Sequence, residues 1–352
     1  MGPSSAAPRT APPRTDRRSA RPTTGNTRFT DLIRGELMVD NSEIDDLIIQ
    51  RSDGTPTYNL TVVVDDADMN ISHVIRGDDH ISNTFKQVNI FNALGYSLPE
   101  FAHVPMILGE DGARLSKRHG AVSVLEYERQ GYLPEALLNY LVRLGWSHGD
   151  QELFTRDQMI ELFDVKDVNK AASSFNVSKL NWLNQQYIKR CDIDRLAKLL
   201  AVHLQRRGIE HSNGPDLAQV AKIYQERAET LEKLADQVAY LFEDFDAYDE
   251  TAAKKFLRPV SIEPVKHFHA ALEQLEDWQV HRIEAAVEDT LEKFELKMPK
   301  LAQPIRVAVT GSSSSPSIGQ TLSVAGKALA LKRISQAIEF MENRQRQAAR
   351  NE

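Results

Sequence analysis

Met106-Ile-Leu-Gly-Glu-Asp-Gly-Ala-Arg-Leu-Ser-Lys-Arg-His119 is the stretch on which the fold and its chemistry turn. An apolar run ends in the turn Gly109-Glu-Asp-Gly112, and Ser116 follows among Arg114, Lys117 and Arg118. Gly and Asp favour a tight, exposed turn, so the spacing predicts a loop at a strand end carrying these cations. Such a loop has two readings: a solvated basic surface, or an anion site that closes over a phosphate chain.

The chain has 352 residues, enough for two or three domains. Its 41% hydrophobic and 26% charged residues are those of an ordinary globular protein. No apolar run approaches the ~20 residues that span a bilayer. A single cysteine, Cys191, excludes an intrachain disulfide and a zinc site built on several thiolates, and fits a reducing cytoplasm. A net charge of -7 argues against indiscriminate nucleic-acid binding but leaves room for local basic patches.

Residues 1–27 differ in kind. They contain no Val, Ile, Leu or Phe and are rich in Pro, Arg, Ser, Thr and Ala. They are expected to form a disordered, low-complexity leader without a site. Arg9, Arg14, Arg17, Arg18 and Arg21 against Asp16 also suit RNA phosphates, and the composition also fits an organellar transit peptide.

From about Arg28, strands are expected at Gly35–Asn41, Asp46–Arg51, the β-branched run Leu60–Val64, His73–Arg76 and Phe101–Leu108. Asp53-Gly54 should form a turn, and Asn83–Leu94 a helix stopped by Gly95. This alternation predicts an α/β layer. After the cationic loop the pattern turns helical. Ser123 can cap a short helix, Pro134 opens one ending at Leu144, and Thr155-Arg-Asp-Gln158 has the capping-box pattern. Amphipathic segments follow at Asp194–Arg206, Leu217–Tyr224, Leu231–Phe242, His281–Phe294 and Ala325–Met341, so an all-α domain is expected from near Cys191.

Three further stretches have plausible chemistry. Arg76-Gly-Asp-Asp-His80 follows a short strand, where α/β folds place ligand contacts. Arg76 can fork onto a carboxylate, Asp78 and Asp79 can accept ribose hydroxyls or an amine, and His80 can face a nucleotide. A polar loop closed by Arg–Asp pairs accounts for the same residues. Asp65-Asp66-Ala-Asp68 lacks a calcium-loop spacing and reads as a turn and helix cap rather than a metal site. Tyr58, in Thr55-Pro-Thr-Tyr58, can offer a phenol to a small polar ligand or simply sit at a strand's rim.

Arg114-Leu-Ser-Lys-Arg118 resembles the KMSKS signature of class I aminoacyl-tRNA synthetases, in the Lys-Leu-Ser-Lys-Arg form of glutamyl-tRNA synthetases. Only the first position departs, Arg for Lys, with the charge kept. Thr55-Pro-Thr-Tyr-Asn59, Val64-Asp-Asp66, His73-Val-Ile-Arg-Gly-Asp-Asp-His80, His103-Val-Pro105, Tyr132–Tyr140 and Leu144-Gly-Trp-Ser147 stand in the order found in bacterial-type glutamyl-tRNA synthetases. Phe175-Asn176 and Lys179-Leu-Asn-Trp182 resemble that family's junction before its anticodon-binding domain.

The resemblance implies an incomplete class I Rossmann-type catalytic domain followed by an all-α anticodon-binding domain. Its expected parts are a leader (1–27), a Rossmann-type remnant (28–100), a KMSKS-bearing stem-contact region (101–190) and a helical anticodon-binding domain (191–352). It implies a cytoplasmic, monomeric glutamate–tRNA ligase that activates L-glutamate with ATP and Mg2+ and transfers it to tRNA(Glu), with no protein-bound zinc or other metal. Lys117 then serves as the catalytic lysine on the ATP phosphates, with Arg114, Ser116 and Arg118 in support. Asp79 falls on an acidic ATP-site position, Ile107 on a backbone contact to adenine, and Arg76 and Tyr58 on the glutamate pocket.

The family also carries a HIGH motif ahead of the position of Asp31, whereas His73 is the first histidine here and no His-x-Gly-His sequence occurs. The expectation is therefore a truncated, frame-disrupted or mis-started product, inactive alone; the alternative is a non-catalytic tRNA-binding fragment. Glutaminyl-tRNA synthetases, with β-barrel anticodon domains, fit the helical second half poorly. The tRNA-aspartate-modifying paralogue, without an anticodon domain, does not fit it either.

Overall fold

The computed structural model describes residues 16–19, 22–116, 123–245 and 247–351. Contacts divide the chain into two units, Met1–Ala121 with Leu138–Val177, and Val122–Leu137 with Ser178–Glu352.

The first unit is built on strands β1 (Arg17–Ser19), β2 (Asn26–Asp31), β3 (Gly35–Asp40) and β4 (Leu47–Gln50). Helix α1 (Tyr58–Asp68), strand β5 (His73–Gly77), helix α2 (Ile81–Leu94) and strand β6 (Glu100–Val104) follow. The main sheet has the order β3-β2-β6-β5. Strands β5 and β6 run parallel with Arg76 opposite His103, and α2 is the crossover between them. On β2 the side chains alternate, so that Thr27, Phe29 and Asp31 turn inward. Phe29 meets Phe85 of α2 and Phe101 of β6 edge-on, with centroids 5.0 and 5.3 Å apart. Gly95, at φ 72°, ends α2 in the left-handed conformation that glycine adopts without steric cost.

The run Leu60–Val64, expected as a strand, lies inside α1. Its β-branched residues favour a sheet, but a helix turns Leu60, Val63 and Ala67 to one side, where they pack with Ile90 and Phe91 of α2. Packing outweighs local propensity here. Tyr58 is consequently the first residue of a helix rather than a strand residue, and Asp65, Asp66 and Asp68 occupy the helix's last turns rather than a loop. The expected strand Phe101–Leu108 is broken at Pro105-Met106 into β6 and a short β7 (Ile107–Leu108). Proline has no amide hydrogen to continue the ladder. Within the expected leader, Arg17–Ser19 pair antiparallel with β4, a ladder of backbone groups that local composition does not announce.

Helices α3 (Val124–Arg129) and α4 (Pro134–Gly145) come next, then α5 (Arg156–Leu162), opened by a complete Thr155–Gln158 capping box. Strand β8 (Ser173–Ser174) pairs parallel with β7. The remaining helices are α6 (Val177–Arg190), α7 (Ile193–Arg206), α8 (Leu217–Tyr224), α9 (Leu231–Val238) and α10 (Glu250–Phe256). They continue with α11 (Ile262–Glu273), α12 (Val280–Lys293), α13 (Met298–Thr310), α14 (Ile318–Ala325) and α15 (Lys327–Asn351). One apolar core runs through the second unit from Leu133 to Met341, with Cys191 inside it. Arg333 of α15 is buried there, donating to the carbonyls of Val309 and Glu243 while its guanidinium lies over Phe245. Among the described residues no helix is long and apolar enough to cross a membrane.

Candidate active site

The carboxyl ends of β5 and β6 bring the site together. Arg76, at the end of β5, donates through Nη2 to Thr84 Oγ1 (2.7 Å) and Gln87 Oε1 (2.6 Å), both on α2. Its Nε points to His103 Nε2 at 3.4 Å, and the Tyr58 side chain is close enough to act on its charge. Burial pushes the Arg76 pKa down, with Tyr58 and Asp66 opposing. An arginine so placed remains a cation. Among the described residues no carboxylate lies within ion-pair distance of Arg76, so its close partners are neutral acceptors. The Asp66 carboxyl is raised above its ordinary range by burial, with Arg76 opposing.

The turn after β5 is closed by Arg–Asp pairs, with arginines that come from outside the turn. Asp78 Oδ2 takes Arg34 Nη2 at 2.6 Å, while Asp79 Oδ2 lies 3.3 Å from Arg114 Nη1. Arg34 comes from the turn after β2, and its Nε also donates to the His103 carbonyl at 3.3 Å. Gly77 allows this turn its close approach, since a Cβ there would meet Asp79 Oδ1 at 2.6 Å. His80 stands 6.3 Å from Tyr58, centroid to centroid, and its Nδ1 meets Asn83.

The signature stretch begins as a hairpin-like loop. Gly109 and Ala113 are joined by a 2.8 Å backbone bond, Gly112 adopts φ 75°, and the Leu115 amide donates to the Ile107 carbonyl. Ile107 therefore has its carbonyl engaged within the loop's own base. Ser116 is half-buried. Lys117 and Arg118 lie outside the described residues. Beside the loop's base, Met106, Ile107, Leu141, Trp146 and Phe163 line an apolar cavity of about 330 Å³. Tyr58, Arg76 and Asp79 thus share one end of the sheet, and Arg114 joins them through Asp79. Asp31, Arg34, Thr84, Gln87 and His103 were given no role from sequence. Only His103 carried a signal, as part of the His103-Val-Pro105 motif.

Among the described residues there is no cluster of three or more His, Cys, Asp or Glu placed to hold a metal ion. In the second unit Arg306 is pushed below its ordinary pKa by burial and then by Arg227. It donates to Ser315 Oγ and the Pro316 carbonyl, and neither arginine forms an ion pair among the described residues.

An α/β layer with its polar site at the strand ends, followed by a helical unit, matches two family models in the same order. Residues 15–182 match the catalytic domain of the class I tRNA synthetases for E and Q, and residues 195–338 an anticodon-binding domain. The class is thus that of a class I tRNA synthetase. Glutamate–tRNA ligase 1 of Alkalilimnicola ehrlichii is 54% identical over 328 residues, covering 93% of this chain and 69% of that protein. Glutamate–tRNA ligase 1 of Coxiella burnetii is 52% identical over 320 residues, covering 91% and 68%. The crystal structure of a glutamate–tRNA ligase from Elizabethkingia meningosepticum superposes with a TM-score of 0.80 at 29% identity, covering 92% and 68%. The chain belongs to the glutamate–tRNA ligase family.

Proposed function

We propose that this protein forms glutamyl-tRNA: ATP, as its Mg2+ complex, activates L-glutamate to the adenylate with loss of pyrophosphate, and the glutamyl group passes to the terminal adenosine of tRNA(Glu). The observation that carries this reading is the Arg76 guanidinium, held by Thr84, Gln87 and His103, with no carboxylate among the described residues within ion-pair distance of it. A half-buried cation fixed by neutral acceptors is suited to receive an anion, and a guanidinium suits a carboxylate by two parallel hydrogen bonds. Tyr58 completes the pocket for the glutamate side chain. Lys117 is assigned to the ATP phosphates with Arg114, Ser116 and Arg118, and Asp79 and Ile107 to the nucleoside. Charge that builds up as pyrophosphate leaves is what a signature-loop cation is suited to stabilise. The reading places the protein in the cytoplasm as a monomer.

The test measures ATP–pyrophosphate exchange with each amino acid in turn, together with tRNA binding. Exchange that requires glutamate, and whose glutamate KM rises sharply in Arg76→Lys while the ATP KM holds, supports the reading. Exchange driven by another amino acid overturns it. Binding of tRNA(Glu) without exchange assigns only the RNA-binding share to these 352 residues.

A further inference from the structure

Both ring nitrogens of His103 are committed, and so is the carboxylate beneath them. Asp31 Oδ2 lies 2.6 Å from His103 Nδ1 and accepts the His103 amide at 2.9 Å. Asp31 Oδ1 accepts the amides of Ile33 and Arg34, each at 2.9 Å. The two side chains are fully buried, at 0% exposure each. A carboxylate only accepts, so the network places the proton on Nδ1 and leaves a lone pair on Nε2. That lone pair faces Thr84 Oγ1 at 2.9 Å and Arg76 Nε at 3.4 Å. Gln87, a further acceptor of Arg76, is held in turn by donating its Nε2 to Asn59 Oδ1 at 2.9 Å.

We propose that His103, locked by Asp31 with its proton on Nδ1, is a positioning residue that aims the Arg76 guanidinium at the side-chain carboxylate of the amino-acid substrate. The proposal rests on the glutamate reading of Arg76. Neutrality is the useful property of imidazole at this place. An acidic residue would neutralise Arg76 and compete with substrate, while a second cation would push it away. The neighbours of the ring explain why packing alone does not call for this pair. His103 sits 5.9 Å from Phe29 and 6.4 Å from Phe101, where an apolar side chain would be at home. A buried Asp–His pair costs desolvation there, and a fully bonded polar network can fix one geometry.

The Nε–Hε signal of Arg76, identified by its loss in Arg76→Lys, reports the link by NMR on the full chain. In the wild-type protein it should exchange slowly with water and shift when L-glutamate is added. His103→Leu keeps the volume and removes the acceptor. It should speed Hε exchange and weaken glutamate binding on the order of tenfold, one hydrogen bond to a charged group. His103→Gln, which restores an acceptor oxygen, should recover both. Asp31→Asn, able to donate to Nδ1, should move the imidazole proton to Nε2 and free Arg76 in the same way. An Arg76 Hε signal unchanged in folded His103→Leu overturns the proposal. Should both variants fail to fold, the 15N shifts of the wild-type imidazole decide: a proton on Nε2 at neutral pH overturns it. A wild-type Arg76 signal indifferent to glutamate removes the glutamate reading, while the exchange measurement still decides the positioning link.

Discussion

Arg114 Nη1 and Asp79 Oδ2 lie 3.3 Å apart, although sequence reasoning sends both residues to the same nucleotide. The arginine side chain is 68% exposed and the aspartate 36%, so the pair is screened and exchanges readily with solvent ions. Binding a phosphate chain would cost little in breaking it. Arg114→Ala is therefore expected to change stability by under about 1 kcal/mol. Nucleotide affinity should fall more visibly. Thermal melts beside ATP titrations check this, and a large loss of stability with unchanged ATP affinity would make the pair a structural one.

A close approach in the helical unit sets the second prediction. Gly131 has φ 84°, and a Cβ added there would meet the backbone nitrogens of Glu232 and Leu231 at 2.4 and 2.6 Å. The Leu231 amide donates to the Gly131 carbonyl at 2.9 Å, so the two segments cannot part without losing that bond. Gly131→Ala combines left-handed strain with overpacking, and should destabilise the helical unit by about 2–4 kcal/mol. Denaturant unfolding would show it, and a variant as stable as the parent would mean the crossing is looser than these distances.

Burial holds the His103 imidazole below its usual pKa, and Arg76 and Arg34 push the same way while Asp31 opposes. The folded state thus favours neutral His103, whereas the unfolded chain protonates near pH ~6.5. The stabilisation is fully present above that pH and is lost as the pH falls towards the lower folded value. The protection of the β6 amides against hydrogen exchange, corrected for the intrinsic pH dependence of the exchange rate, should fall as the pH drops through about 6.5. His103→Gln should flatten that dependence, and a profile identical in both proteins would place its origin elsewhere.

The parts of this fold that were legible are those in which local pattern and tertiary packing agree. The spacing along α2 and its stop at Gly95 are examples, as are the Thr155 capping box and the turn after β7. The helix α1 was misread because Leu60-Thr-Val-Val-Val64 speaks for a strand until a neighbouring helix supplies a face to pack against. Strand β2 was hard to see because its six residues hold one aromatic and no other large apolar side chain, so no alternation stands out although it pairs with the neighbouring β3. In the candidate site Arg76 stands out in the sequence by its residue type alone. Its support does not, because Asp31 and His103 are 72 residues apart and meet only when β2 and β6 pair.

RNA binding by the helical unit yields the last prediction. Arg227 is exposed and lies near enough to the half-buried Arg306 to lower its pKa further after burial, and neither cation forms an ion pair among the described residues. Two like charges brought together unneutralised favour the arrival of an anion such as an RNA phosphate. Arg227→Ala should weaken tRNA(Glu) binding and lessen the slope of log affinity against log salt by about 0.7–0.9, the change for one lost phosphate contact. Stability should hold within about 0.5 kcal/mol, since the residue is on the surface. Filter binding between low and moderate salt measures both quantities. An unchanged slope with weakened binding would reassign Arg227 from phosphate to a base contact, and an unchanged affinity would remove it from the RNA interface.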